Sequence, residues 1–278
     1  MTDQSEHTFD GAVAIVTGGG GGIGGALAER LSDAGARVVV CDLDADSSRA
    51  VAEGITERGG HAVSFAGDAS DEDTIAASIE LAERTFGPVD YYFANAGVAA
   101  GDGIEPSDDV WSLALDVNVR AHVRAARLLL PGWLERGRGY FVSTASAAGL
   151  LTQIGSAPYS VTKHAAVGFA EWLSVTYGDR GIGVSCVCPM GVDTKLLHDD
   201  AALSPLAARA VTTAGTVLSP RDVADCVLAG VVTGTFLILP HPDVLDMYRN
   251  KGSDYDRWIR GMRRYQNALA AADAQTHT

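Results

Sequence analysis

Basic residues are scarce: 21 Lys and Arg face 35 Asp and Glu, a formal net charge of −14 over 278 residues. An acidic chain repels phosphate backbones, which argues against nucleic acid as a main partner. Cysteine is sparse as well. Cys41, Cys186, Cys188 and Cys226 are the four, three of them in apolar runs, and no pair has the spacing of a zinc site. They read as buried thiols of a reducing compartment, with no metal. No apolar run is long and clean enough to span a membrane. The longest, Val223–Pro240, carries Asp225 and two glycines and reads as helix, turn and strand. The first ten residues, MTDQSEHTFD, are polar and acidic, unlike a signal peptide. The expectation is a soluble cytoplasmic protein. There is no internal repeat and no low-complexity linker.

What is present is ordinary globular composition, 47% hydrophobic and 20% charged, in a chain long enough to bury a large core. Short β-branched runs alternate with longer amphipathic stretches. The runs Ala12–Thr17, Arg37–Cys41, Ala62–Ala66, Val89–Ala94, Gly139–Thr144, Gly183–Cys188 and Thr235–Leu239 predict about seven strands. Most are apolar without alternation, as in strands covered on both faces. The pattern predicts a single-domain α/β fold, a doubly wound parallel sheet with helices on both sides, over residues 10–240. A flexible leader, residues 1–9, precedes it, and a strandless Ala- and Leu-rich lid occupies about 194–217. A helical tail, 241–278, follows. In the tail Tyr255, Trp258, Ile259, Met262 and Tyr265 form an apolar stripe at helical spacing. From Arg249 to Arg264 six basic residues meet two acidic ones, a local +4. The stripe predicts a helix docked on its own domain or a sister subunit. A membrane-surface helix or an anion site is the alternative.

After the first strand comes Thr17-Gly18-Gly19-Gly20-Gly21-Gly22-Ile23-Gly24-Gly25, then a helix. Glycine serves where the chain turns with positive φ and where a ligand meets the backbone. Such a turn delivers a helix N-terminus, whose free amides and dipole attract a diphosphate. Asp42, at the end of the second strand, lies 18 residues beyond Gly24, near the distance at which an acid meets ribose hydroxyls. A carboxylate there repels a 2′-phosphate, and the loop offers no cation, so NAD is favoured over NADP. Alternatively Asp42 caps the next helix, where Asp44 and Asp46 are equally placed. Asp68 either meets the adenine amino group or is a plain loop aspartate.

Tyr159 and Lys163 stand four apart, on one helical face. At some 6 Å and an effective dielectric near 20, an ammonium favours phenolate by roughly 3 kcal/mol, about 2 pKa units. The pair predicts a proton relay at cellular pH. Ser146 follows the fifth strand, at the strand end where ligands bind in open α/β sheets, and could hold a substrate oxygen beside the phenol. Ser143, inside the strand, reads as structural.

In these residues the chain resembles the short-chain dehydrogenase/reductase family, NAD-preferring branch. The match runs from about Phe9 to Pro240. Thr17-Gly18-x3-Gly22-Ile23-Gly24 is similar to the cofactor loop, and Ala94-Asn95-Ala96-Gly97 to the segment steadying the sheet. Asn118 is similar to the helix asparagine; Ser146, Tyr159 and Lys163 to the catalytic trio; and Pro189–Thr194 to the nicotinamide segment. The resemblance implies an oxidoreductase acting on CH–OH groups with NAD. It implies that Tyr159 exchanges the proton, Ser146 orients the oxygen, Lys163 binds the ribose and lowers the tyrosine pKa, and Asn118 holds a relay water. Gly18, Gly22, Ile23, Gly24, Asp42, Asp68, Ala69, Asn95, Ala96, Gly97, Val192 and Thr194 would contact the cofactor, with Tyr159 and Lys163. Three departures stand out: Ala94 replaces Asn, Met190 replaces Gly, and Pro240-His241-Pro242 replaces an Asp-Gly-Gly close. The last puts a standard tetramer in doubt. A homodimer through helices around 109–133 and 158–177 remains.

Leu196, Leu197, Leu203, Leu206 and Val211 of the lid, with Ala99, Ala100, Ile154 and Met190, suggest an apolar secondary alcohol or ketone of terpenoid, steroid or alicyclic type. Alternatively the leucines only pack the lid. Lys195 and Arg209 are the fixed cations on these stretches. The remaining alternatives are an NAD-binding regulator without turnover and a sugar-nucleotide epimerase.

Overall fold

The computed structural model describes residues 8–99, 103–198 and 203–276. Its first part alternates Val13–Thr17 (β1), Gly22–Asp33 (α1), Arg37–Asp42 (β2), Ala45–Glu57 (α2), His61–Ala66 (β3), Glu72–Thr85 (α3) and Tyr91–Ala94 (β4). Next come Asp108–Leu115 (α4), a π-helical turn at Asp116–Arg120, Ala121–Arg136 (α5), Gly139–Thr144 (β5), Ala148–Leu151 (α6), Ala157–Tyr177 (α7) and Ile182–Val187 (β6). The rest holds Lys195–His198 (α8), Pro205–Ala214 (α9), Pro220–Val232 (α10), Leu237–Ile238 (β7), Asp243–Ser253 (α11) and Tyr255–Thr276 (α12).

The seven strands pair in parallel, in the order β3-β2-β1-β4-β5-β6-β7. Ala14, Ile15, Val16, Val38, Val39, Val40, Phe93, Phe141 and Val142 have no exposed surface, because helices cover both faces. Ile75 of α3, Leu129 and Trp133 of α5 and Leu173 of α7 pack one face. Leu27 and Leu31 of α1, Ile55 of α2 and Val227 of α10 pack the other. This is the doubly wound Rossmann-type sheet. Strand order reverses between β1 and β4, which opens a crevice above their carboxyl ends.

The structure corrects several expected boundaries. The fourth strand starts at Tyr91, not Val89, because the Asp90 carboxylate accepts the Val13 amide in place of a ladder carbonyl. The last strand shrinks to two residues at the sheet edge, where only β6 pairs with it. Phe9, counted with the leader, is core: it is buried, packs 5.1 Å from the Tyr91 ring, and Tyr91 Oη donates to Thr8 O. Residues 1–7 lie outside the described residues.

The tail stripe is also shifted. Tyr255 and Ile259 are exposed, whereas Trp258, Met262, Tyr265 and the buried Leu269 share the inner face. Spacings of four, three and four residues keep these on one line of an α-helix, so the expected stripe was about a turn too early. Leu113, Val161, Trp172 and Val175 are exposed, on α4 and α7, where the sequence suggests a dimer surface. No described helix is long and apolar enough to cross a membrane.

Candidate active site

The carboxyl ends of β1, β2, β4, β5 and β6 bound a cleft of about 720 Å³. The glycine loop forms one end. Gly19 N–H donates to Cys41 O (2.8 Å) and Gly20 N–H to Asp42 Oδ2 (2.8 Å), so the loop is zipped to the end of β2. Gly18 and Gly22 take φ of +63° and +52°, which disfavour a side chain. A Cβ on Gly24 would lie 2.0 Å from Gly18 O, whereas one on Gly21 would meet open space. Helix α1 begins there with no side-chain cap and no acid in its first turn. Its free amides therefore face the cleft, and this cradle fits a dinucleotide's diphosphate.

The ambiguity among the aspartates resolves locally. Asp44 caps α2, accepting from Asp46 N (3.0 Å) and Ser47 N (3.3 Å). Asp42 is left to the glycine loop and to the Asp44 amide (3.0 Å), and lines the cleft. Asp68 instead accepts from Ser70 N and Oγ, both 2.8 Å, in a loop turn. Neither Asp68 nor Ala69 is among the residues lining the cleft. Asn95 braces the crevice: its Nδ2 donates to Thr17 O (3.0 Å) and its amide to Thr17 Oγ1 (3.0 Å). Gly18, Gly22, Ile23, Gly24, Asn95, Ala96, Gly97, Val192 and Thr194 all line the cleft.

The chemical groups come from the start of α7. Gly155 (φ +86°) turns the chain, and Ser156 Oγ caps the helix by accepting from Tyr159 N (3.3 Å). Pro158 sits in the first turn, where its missing N–H costs nothing. Tyr159 thus enters the cleft from the first turn, and Lys163 one turn later. Lys163 is buried, its Nζ 3.1 Å from Thr144 O and 5.6 Å from the centre of the Tyr159 ring. Ser146, on the β5–α6 loop, lines the same cleft, its Oγ accepting from Ala148 N (3.1 Å). The structure brings Ser146, Tyr159 and Lys163 together. Ser143 is buried elsewhere, 3.0 Å from His122 Nδ1.

Asn118 does not line the cleft. Both its amide hydrogens are engaged, with Val98 O (2.9 Å) and Thr162 Oγ1 (3.1 Å), while Oδ1 accepts from Val98 N (2.9 Å). A Cβ on Gly97 would lie 3.2 Å from Asn118 Oδ1 and 3.3 Å from Lys163 Nζ, so the three groups adjoin and a larger residue at 97 would crowd them. Asn118 braces this junction, inside a π turn of the kind found at functional sites.

The electrostatics correct the expected pKa. Burial pushes the Tyr159 phenol above its ordinary value, with the Ser146 hydroxyl pulling it back. Burial also lowers Lys163 to about 8, so the ammonium is itself costly. Distance alone missed this, because the cleft desolvates both groups. A stability prediction follows. An unfolded lysine holds its proton to about pH 10.4, so between about 8 and 10 the unfolded chain binds more protons and stability rises with pH. Below pH 8 the charging cost is fully present. Lys163→Met should therefore raise the melting temperature of the cofactor-free protein at pH 7, with the gain over wild type shrinking toward pH 10. Paired thermal melts across that range check it. A gain that grows with pH would contradict it.

The sequence did not point to His241. This buried side chain accepts the Met190 amide at Nδ1 (3.1 Å), so Nε2 carries the hydrogen and donates to Thr216 O (3.0 Å). It holds the backbone at the unusual Met190. His198 pairs at the surface with Asp193 (2.7 Å). Leu196, Leu197, Leu203 and Val211 line the cleft with Ala99, Ile154 and Met190. Leu197 and Leu203 also bury against Ala207, so these leucines both line the cleft and pack the lid. Leu206 packs behind it with Leu269, and Ala100 lies outside the described residues. Met247, Trp258, Met262 and Tyr265 of the tail complete the lining.

A glycine cradle for a diphosphate and a tyrosine beside a buried lysine, at the switch point of a parallel sheet, define a nucleotide-binding oxidoreductase. Residues 12–202 match the family described as short chain dehydrogenase, and the chain belongs to that family. It is 32% identical to a 1-deoxy-11-beta-hydroxypentalenate dehydrogenase of Streptomyces exfoliatus, over 88% of this chain and 89% of that one. It is 31% identical to a cyclohexanol dehydrogenase of Acinetobacter, over 72% of this chain and 80% of that one. Among solved structures, a short chain dehydrogenase/reductase of Burkholderia phymatum in complex with NAD superposes with a TM-score of 0.83. It shares 29% identity with this chain and covers 90% of it and 96% of its own length.

Proposed function

We propose that this protein is an NAD-dependent dehydrogenase that interconverts an apolar, alicyclic secondary alcohol and its ketone, with oxidation the cellular direction. The observation that carries the reading is the convergence of Ser146, Tyr159 and buried Lys163 in the cleft that also holds the glycine cradle. Bound NAD supplies the hydride acceptor and, when oxidised, a positive charge in the pocket. The protein supplies the proton chemistry. Ser146 Oγ donates to the substrate oxygen and fixes it beside the Tyr159 phenol. In oxidation the phenolate takes the alcohol proton at Oη, and in reduction the phenol returns one. Lys163 offsets the cost of phenolate in a desolvated site, and its hydrogen bond to Thr144 O holds the ammonium in place. Asp42 supports NAD, because a carboxylate held on the glycine loop accepts hydrogen bonds from ribose hydroxyls and repels a 2′-phosphate.

Charge supports a neutral substrate. The cations among the described cleft residues are Lys163 and Lys195, and Lys195 acts on Asp44 at the cofactor end. The substrate end is apolar. The names of the pentalenate and cyclohexanol dehydrogenases support a ring-bearing alcohol. A screen of cyclic, linear and acidic alcohols with NAD and with NADP, followed by nicotinamide absorbance, tests the reading. Cyclic neutral alcohols with NAD should lead. Turnover confined to acidic substrates would reject it.

A further inference from the structure

The tail lies beyond the stretch matched by the family, yet four of its side chains border the cleft, three of them on α12. Asp254 starts α12 by accepting from Arg257 N (2.8 Å), and the helix then runs along the lid. Trp258, Met262 and Tyr265 line the same cleft as Leu197, Leu203 and Val211. One turn further on, Leu269 is buried against Ile154 and Ala210 and anchors the helix. Tyr265 Oη hydrogen-bonds Ala210 O (3.0 Å) and lies 2.7 Å from Thr213 Oγ1, tying α12 to α9. The other end is fixed by Lys251. This buried side chain donates to Leu150 O (2.6 Å) and lies 3.4 Å from His164 Nε2, next in sequence to Lys163. The tail is thus fastened both to the lid and to the short helix that follows Ser146.

We propose that α12 is a wall of the substrate cleft that sets specificity, with Trp258 and Met262 contacting the hydrocarbon body of a rigid alicyclic alcohol and Tyr265 positioning helix and lid as one unit. An indole face and a thioether present broad apolar surface with no charge, suited to fused rings rather than to a flexible polar chain. On this proposal a small alcohol, having no such hydrocarbon body, draws nothing from the wall. The proposal rests on the dehydrogenase reading above and adds the residues that choose the substrate.

The experiment compares borneol, a rigid bicyclic secondary alcohol, with isopropanol in the full chain with NAD. Trp258→Ala should lower kcat/KM for borneol about 30-fold, through KM, and leave isopropanol within about threefold. Trp258→Phe should recover most of the loss. Met262→Trp, which fills the cleft instead of emptying it, should also reject borneol and spare isopropanol. Equal losses on both alcohols, or no loss on either, would overturn the proposal. If the wild-type protein oxidises neither alcohol, the dehydrogenase reading fails separately. Titration calorimetry with camphor then still reads the wall. Binding weakened about 30-fold in Trp258→Ala supports it, and binding that is unchanged, or absent in wild type, refutes it.

Discussion

Tyr159→Phe should lower kcat for alcohol oxidation by about three orders of magnitude and leave the dissociation constant for NAD within about threefold. The substitution keeps the ring that packs under Lys163 and removes only the oxygen proposed to exchange the proton. Burial alone holds this phenol protonated above its ordinary range, so its charge must be supported by Lys163 and by the oxidised nicotinamide. Oxidation needs the phenolate and should accelerate with rising pH, while ketone reduction needs the phenol and should slow. Removing the ammonium in Lys163→Met should move both limbs to higher pH. Steady-state rates across pH, with NAD binding followed by fluorescence, check these outcomes. A Phe variant of undiminished turnover would dismiss Tyr159 as the acid/base.

The second large effect concerns cofactor choice. Asp42→Ala should lower kcat/KM for NAD and raise it for NADP, narrowing or reversing the preference by roughly 100-fold. The carboxylate is held by the Gly20 and Asp44 amides, at 2.8 and 3.0 Å, so it cannot swing away from a 2′-phosphate. Asp42→Asn separates charge from structure. It keeps an acceptor for one of those two amides, removes the repulsion, and should admit NADP with a smaller loss of NAD than Asp42→Ala. An unchanged ratio in both variants would remove the basis for assigning NAD.

Much of this was legible in the residues because the signals were local. Val38-Val39-Val40 can hardly be other than a buried strand, and a glycine run between strand and helix has few uses. Tyr159 and Lys163 declare a shared face by spacing alone. Other features depend on what the chain meets in space. Spacing put the ammonium near the phenol but carried no information on burial, so the sign of the Tyr159 shift was misjudged. Asp42, Asp44 and Asp46 all adjoin a helix start, and only the fold separates the cap from the loop carboxylate. The tail's apolar stripe announced docking without naming the surface, and the stripe drifted because Tyr255 and Ile259 resemble core residues by type. His241 gave no signal, since a lone histidine between prolines carries no pattern. Its role depends on the Met190 amide 51 positions away.

The most direct measurement is a crystal structure of the full chain with NADH and camphor bound. The ketone oxygen should lie within hydrogen-bond reach of both the Tyr159 hydroxyl and the Ser146 hydroxyl, with the Lys163 ammonium on the ribose and the carbonyl carbon over the nicotinamide ring. A ketone oxygen held by other groups, with the tyrosine turned from the ring, would contradict the account.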